Sequence, residues 1–338
     1  MKKFALSLSL ALAIWTPVQA SGTVDAPPGK TRVEVGVLKS GPVEFQDYKL
    51  FRDDGPVVEY YISKTSRKAP LILYIQGSGC SPAFFPSGPG TYGSTVYNLV
   101  PIAASGRYSV MVVNKPFIAD NPGPQGTKNG CTAAFNEYFT AEHWAKVVQV
   151  ALEHARGLPW VNPEKTLILG MSEGATIASI VSANDKNVTN VALIGASGPT
   201  QYFDFVVSAY RNSANDEEAR LKLEELGEQR RKIAMHPNSA DEFAWGHPYK
   251  RWSSFFAVSS TQNILKSNAK VYLVSGMQDQ SVPILSTEAM ASELIGRGHD
   301  VVMRRIPKGG HNLVPDGGKW SDSDAEYAKI LEWFDGNK

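Results

Sequence analysis

The sequence predicts an α/β fold: a doubly wound, mostly parallel sheet, with an antiparallel β element before it and a helical lid insertion within it. Three observations predict it. Short runs that are apolar almost throughout recur along the chain, as "LILYIQ" from Leu71, "YSVMVVN" from Tyr108, "TLILGM" from Thr166, "VALIGAS" from Val191, "KVYLVSG" from Lys270 and "DVVMRRI" from Asp300. Strands of this kind suit a parallel sheet covered on both faces, because neither face needs polar residues. Segments with apolar residues at helical spacing lie between and after them, notably Thr140 to Leu158 and Glu326 to Phe334. Strand and helix in alternation build a parallel sheet flanked by helices. The alternation breaks only from about Pro199 to Asn268, where a charged helical run is followed by the aromatic-rich "DEFAWGHPYKRWSSFFAV".

The elements follow in order. Residues 1–20, "MKKFALSLSLALAIWTPVQA", place Lys2 and Lys3 before an apolar run to Trp15 and end on Val18-Gln19-Ala20. This is the pattern of a cleaved secretory signal peptide, so a periplasmic or secreted protein is expected. As a membrane anchor the run is shorter than the roughly 20 residues that a spanning helix needs. No cysteine stands at the cleavage point to take a lipid. A leader with Pro27 and Pro28 precedes "RVEVGVL" and "VVEYYIS", whose β-branched and aromatic residues between turn signals predict an antiparallel hairpin or meander. The rest reads as one domain over 21–338, with the insertion at about 200–268. A long insertion near the functional edge of a sheet is commonly a lid, and the aromatics Phe243, Trp245, Tyr249, Trp252, Phe255 and Phe256 would chiefly pack it onto the body.

Composition narrows the function classes. The 34 basic and 33 acidic residues leave a formal charge of +1, with no run of one sign to neutralise a row of phosphates, so nucleic acid is not an expected partner. The six histidines are scattered, and neither a zinc-protease motif nor a phosphate-binding glycine loop occurs, so no metal or cofactor is expected. Cys80 and Cys131 are the two cysteines. In an exported chain a single disulfide is their natural pairing, two unpaired thiols being the alternative.

The chemistry centres on Gly170-Met171-Ser172-Glu173-Gly174, set between the apolar run "TLIL" and the helical "ATIASIV". In a strand–turn–helix context this G-x-S-x-G pattern is a nucleophile elbow, in which a tight turn lifts the serine hydroxyl above the sheet and small flanking residues let backbone segments approach. The helix N-terminus adds positive dipole where an oxyanion would develop.

With this motif the chain resembles the α/β-hydrolase superfamily from about Leu71 to the C-terminus. The resemblance implies a triad in the order nucleophile, acid, histidine. Asp279, in the loop after "KVYLVSG", and His311, in the loop after "DVVMRRI", fit that order. His311 would take the proton of Ser172, and Asp279 would hold the imidazole in its working tautomer. His299, His247 and Asp204 are rival positions. The superfamily's histidine-glycine loop corresponds to "QGSGCSP", with Gln76 in place of histidine; Ser78 N–H, with Gly79 as alternative, and Glu173 N–H would form the oxyanion hole. The Glu173 side chain either anchors its helix or receives a cationic substrate group. A Cys80–Cys131 bridge would brace the oxyanion loop or simply stabilise a long exposed one.

The implied activity is ester hydrolysis through an acyl-enzyme, on a small-molecule ester. A serine peptidase or aminopeptidase related to prolyl oligopeptidases, acting on short peptides, is the nearest alternative. An acyltransferase would share the acyl-enzyme, and a non-catalytic binding protein on the same scaffold is the alternative of another class. Oligomeric state has no signature in the sequence.

Overall fold

The computed structural model describes residues 31–118 and 128–336. The expected signal peptide, residues 1–20, lies outside them.

Strands β1 (Arg32–Ser40), β2 (Val43–Phe51) and β3 (Val58–Ser63) form the antiparallel meander, and β4 (Ala69–Ile75) follows. A small hairpin, β5 (Phe84–Gly88) and β6 (Thr91–Ser94), leads to α1 (Leu99–Ala104) and β7 (Ser109–Val113). Next come α2 (Ala133–Tyr138), α3 (Ala141–Arg156), β8 (Val161–Met171), α4 (Glu173–Asn184) and β9 (Asn190–Ile194). The insertion comprises α5 (Gln201–Arg211), α6 (Asp216–Met235), the two-residue strands β10 (Phe243–Ala244) and β11 (His247–Pro248), α7 (Tyr249–Phe256) and α8 (Ser260–Ile264). The chain closes with β12 (Lys270–Gly276), α9 (Ile284–Gly296), β13 (Val301–Ile306), a 3₁₀ turn at Trp320–Ser323 and α10 (Asp324–Asp335).

Nine strands make one sheet in the order β1-β2-β3-β7-β4-β8-β9-β12-β13. The pairs from β7 to β13 are parallel, and β3 joins β7 antiparallel. All six apolar runs quoted above are therefore parallel strands. Alternate residues explain why they lack polar positions. Leu71, Leu73, Ile168, Val191 and Leu273 face a core closed by Trp144 and Val148 of α3, Ala178 and Val181 of α4 and Met290 of α9. Ile72, Tyr74, Leu167, Ala192 and Val274 face a second core closed by Leu99 of α1 and by Tyr327, Ile330 and Phe334 of α10.

The insertion has a small core of its own, built from Ile233, Ala244, Tyr249, Trp252 and Phe256, with Tyr202 and Phe205 packed against it. The aromatics expected to pack the insertion onto the body mostly pack within it instead: Tyr249, Trp252 and Phe256 are buried in this small core, whereas Trp245 is 42% exposed. Phe255 belongs instead to the main core, stacking with Phe139, and so ties the insertion to the body.

The consequence for function is positional. Parallel strands all point the same way, so the loops leaving β4, β7, β8, β9, β12 and β13 gather at one edge of the sheet, which is where open α/β sheets bind ligands.

Candidate active site

Ser172 sits at the junction of β8 and α4 with φ 55° and ψ −122°, a left-handed backbone that a non-glycine residue adopts only when its surroundings enforce it. The enforcing contacts are visible. Ser172 N–H donates to Ile194 O at 2.8 Å. Gly174 lies so close to β4 that a Cβ there would meet Ile75 O at 2.2 Å, and a Cβ on Gly170 would meet Gly174 O at 2.5 Å. The Ser172 side chain makes no capping bond to α4, which leaves its hydroxyl for other partners.

Asp279 and His311 come together from adjacent loops. His311 Nδ1 lies 2.8 Å from Asp279 Oδ2, while Asp279 Oδ1 accepts from the amides of Ser281 at 2.8 Å and Val282 at 2.9 Å. The carboxylate is buried and held from both sides, so its direction is fixed. The two loops are also bonded to each other, Gln278 N–H donating to Gly309 O at 2.9 Å. The pair packs on Gly195 at the end of β9: a Cβ on that residue would stand 3.3 Å from His311 Nδ1 and 3.4 Å from Asp279 Oδ2. Gly195 immediately follows Ile194, the residue that accepts from the Ser172 amide. The histidine is thus next to the elbow, although no hydrogen bond joins Ser172 Oγ to His311 among the described residues. Such bonds commonly close only when substrate is bound.

Among the described residues none of the rival positions is bonded to the Asp279–His311 pair, although Asp204 is near enough to interact with both electrostatically, as His247 does with Glu173. His299 precedes β13, at the opposite edge of the sheet from Ser172. His247 is in the insertion beside Trp252; burial, then Arg251, lowers its pKa to about 4. Asp204, on α5, accepts from Ser197 Oγ and makes no bond to His311; burial raises its pKa to about 7 despite that bond.

The loop after β4 runs past Ser172, since a Cβ on Gly77 would stand 3.5 Å from Ser172 Cβ. Ser78 is exposed at its crest, and Gly79 has φ +95°. Gln76, in the histidine position of the loop, reaches Thr95 Oγ1 at 3.4 Å. Cys80 is bonded to Cys131, their Cα atoms 5.7 Å apart, so the bridge pins this loop to the start of α2.

Of its two expected uses, the Glu173 side chain serves the first, anchoring the start of α4, but through two buried cations. It makes no cap, and it is closed off from solvent between two cations. Lys115, just beyond β7, donates to Glu173 Oε1 at 3.1 Å and also to the carbonyls of Gly77 at 2.7 Å and Gly79 at 2.8 Å. Arg251 of α7 donates to Glu173 Oε2 through Nη2 at 2.6 Å and Nε at 3.1 Å. Burial alone would raise the Glu173 pKa, but Lys115 and Arg251 outweigh it and hold the group at about 2. Burial pushes the Lys115 and Arg251 pKa values down, and Glu173 opposes the shift in both. Sequence reading missed both cations. Lys115 had one available signal, its place immediately after a parallel strand at the ligand-binding edge.

A cavity of about 310 Å³ opens beside the elbow, lined by Gln76, Gly77, Thr95, Tyr97, Met171 and Trp320 among others, none of them charged. A second, of about 330 Å³, lies along the His311 loop and shares Trp320 with the first.

Among solved structures, acetyl xylan esterase 1 from Thermoanaerobacterium sp. is 13% identical, with a TM-score of 0.55 over 90% of this chain and 88% of that one. Pyrococcus horikoshii acylaminoacyl peptidase is 14% identical, with a TM-score of 0.51 over 90% of this chain and 41% of that one. Porphyromonas gingivalis dipeptidyl peptidase 4 is 13% identical, with a TM-score of 0.51 over 89% and 35%. All share the sheet and its flanking helices. The chain has the α/β-hydrolase fold. The chain spans about a third of the length of the dipeptidyl peptidase structures it matches. Its residues 231–337, which include Asp279 and His311, match the prolyl oligopeptidase family. No curated protein sequence matches the chain. Among the described residues, no helix is long and apolar enough to cross a membrane, and no group of three or more His, Cys, Asp or Glu side chains could hold a metal ion.

Proposed function

We propose that the protein hydrolyses uncharged carboxylic esters through an acyl-enzyme on Ser172. His311 takes the hydroxyl proton as Ser172 attacks the carbonyl carbon, and Asp279 stabilises the imidazolium. The amides of Glu173 and Ser78 hold the oxyanion. Collapse of the tetrahedral intermediate breaks the ester bond and sends the proton from His311 to the leaving alcohol. Water then attacks the acyl-enzyme by the same route and regenerates Ser172.

The observation that carries the ester reading is the neutrality of the cavity beside Ser172, the nearest carboxylate in an adjoining wall being Asp316 of the His311 loop. The cavity beside Ser172 has no charged side chain in its wall, and the elbow carboxylate is consumed by Lys115 and Arg251. A peptide's free amine would have no counter-charge there, whereas an uncharged acyl or alkoxy group could lie against Tyr97, Met171 and Trp320. The esterases among the structural neighbours favour the same reading. The match of residues 231–337 to the prolyl oligopeptidase family favours a second one, a serine peptidase acting on blocked or uncharged peptides. Residues 1–20 are read as a signal peptide and 200–268 as a lid; the disulfide supports export, since such bonds persist in oxidising compartments.

The test treats the purified protein and its Ser172→Ala variant with a fluorophosphonate probe, with aryl acetates and peptidyl anilides assayed in parallel. Labelling of the parent alone with acetate turnover is expected. Turnover of anilides in place of acetates would move the assignment to the peptidase. An unlabelled, inactive but folded parent would leave a binding protein on a hydrolase scaffold.

A further inference from the structure

We propose that Lys115 is a positioning residue for the reaction, aiming the Ser78 amide at the oxyanion from beneath the loop. The inference rests on the reading of Ser172 as nucleophile.

Lys115 is 2% exposed, and its ammonium carries three protons matched by three acceptors, the carbonyls of Gly77 and Gly79 and one oxygen of Glu173. A neutral amine would have only two protons to offer, so this acceptor set selects the charged form. Phe139, whose ring centroid is 4.8 Å from Nζ, covers the group on another side. Burying a lysine in this way is costly unless it is paired and fully bonded, and this one is.

The carbonyls it grips decide what it does. In a trans peptide the C=O and the N–H point in opposite directions. The Gly77 carbonyl belongs to the peptide whose N–H is that of Ser78. With its oxygen turned down onto Lys115, that N–H is turned up, toward the exposed side of the loop where Gly77 lies against Ser172. Gly77 and Gly79 carry no side chains that would hold the loop in this orientation. The charge-assisted bond also polarises the peptide, strengthening Ser78 N–H as a donor.

The third bond joins the two halves of the oxyanion hole. The other amide donor is the N–H of Glu173, and the side chain of that same residue is bonded to Lys115. One buried cation therefore spans the β4 loop and the start of α4, and fixes the spacing between two donors that lie almost a hundred residues apart in the chain.

The experiment compares Lys115→Met and Lys115→Arg with the parent on 4-nitrophenyl acetate, each first shown to be folded by circular dichroism. Affinity for an aryl trifluoromethyl ketone, which forms a tetrahedral oxyanion on the active serine, is measured beside turnover. Removing a whole oxyanion donor costs about 10²–10³ in kcat, so misdirecting one should cost about 10- to 100-fold, with KM changed less than about threefold. Ketone affinity should fall by the same factor as kcat/KM. Lys115→Arg, which keeps the buried charge next to Glu173, serves if the methionine variant does not fold. Its planar fork cannot match all three acceptors, so it should lose about 10-fold. A folded variant of either kind with parental kcat would overturn the proposal, as would a fall in kcat with ketone affinity unchanged. A parent unlabelled by fluorophosphonate would instead remove the esterase reading itself.

Discussion

The bond between Cys80 and Cys131 allows a stability prediction whose size follows from its place in the chain. The two residues are 51 positions apart. In the chain-entropy treatment a loop of that length removes about 14 cal/mol/K from the unfolded state, or roughly 4 kcal/mol at 25 °C. Unfolding entropy near 60 °C is about 2.1 cal/mol/K per residue, which over 338 residues comes to roughly 0.7 kcal/mol/K. Dividing one by the other predicts that the Cys80→Ser/Cys131→Ser double variant melts about 6 °C below the parent. Differential scanning calorimetry measures it, and the parent under excess dithiothreitol should match the variant. Cys80 directly follows Gly79, whose carbonyl rests on Lys115, so kcat should fall several-fold well below the melting temperature. A drop in Tm of less than about 2 °C would refute the entropic reasoning. Unchanged kcat would refute the bracing of the oxyanion loop.

Further predictions concern the buried carboxylates. Asp279→Asn should lower kcat by about 10⁴, because an amide fixes the wrong imidazole tautomer, while Asp204→Asn should stay within about threefold on the same ester. The opposite ranking would make Asp204 the working acid. Glu173, held at about 2 against an ordinary 4.5, contributes stability that is present above about pH 5 and lost as pH falls toward 2. Glu173→Gln would leave two cations buried without their counter-charge, a loss of about 3–5 kcal/mol at pH 7, and should flatten the decline of the urea midpoint between pH 5 and 2. Parallel midpoint curves for parent and variant would exclude the linkage.

Much of this fold was legible because the relevant signals are local. Five of the six parallel strands face a core on each side, and that double burial is what makes their runs apolar without alternation, whereas β13, at the sheet edge, carries Arg304 and Arg305 and is only half-buried. The elbow was equally plain, since the glycines that let Ser172 sit in a strained turn are two residues away on either side. Other features depend on pairings that no window contains. The β5–β6 hairpin carries Pro86, Gly88 and Gly93 and is half exposed, so neither pattern nor propensity marks it. Glu173 meets Lys115 and Arg251 across 58 and 78 positions, and only the assembled sheet brings those three together. Asp204 was a reasonable rival because it follows β9 as Asp279 follows β12; only the geometry of Ser197 and His311 separates them.

The anchoring of α7 bears on how freely this architecture could exchange parts. Residues 201–264 have a core of their own and would look like a cassette to be swapped between related scaffolds. Arg251 makes that exchange conditional. A replacement without an arginine at this point would leave Glu173 paired with Lys115 alone, and a recipient without Glu173 would inherit an arginine with no counter-charge in its core. The insertion and the elbow therefore have to be transplanted, or redesigned, as a matched set.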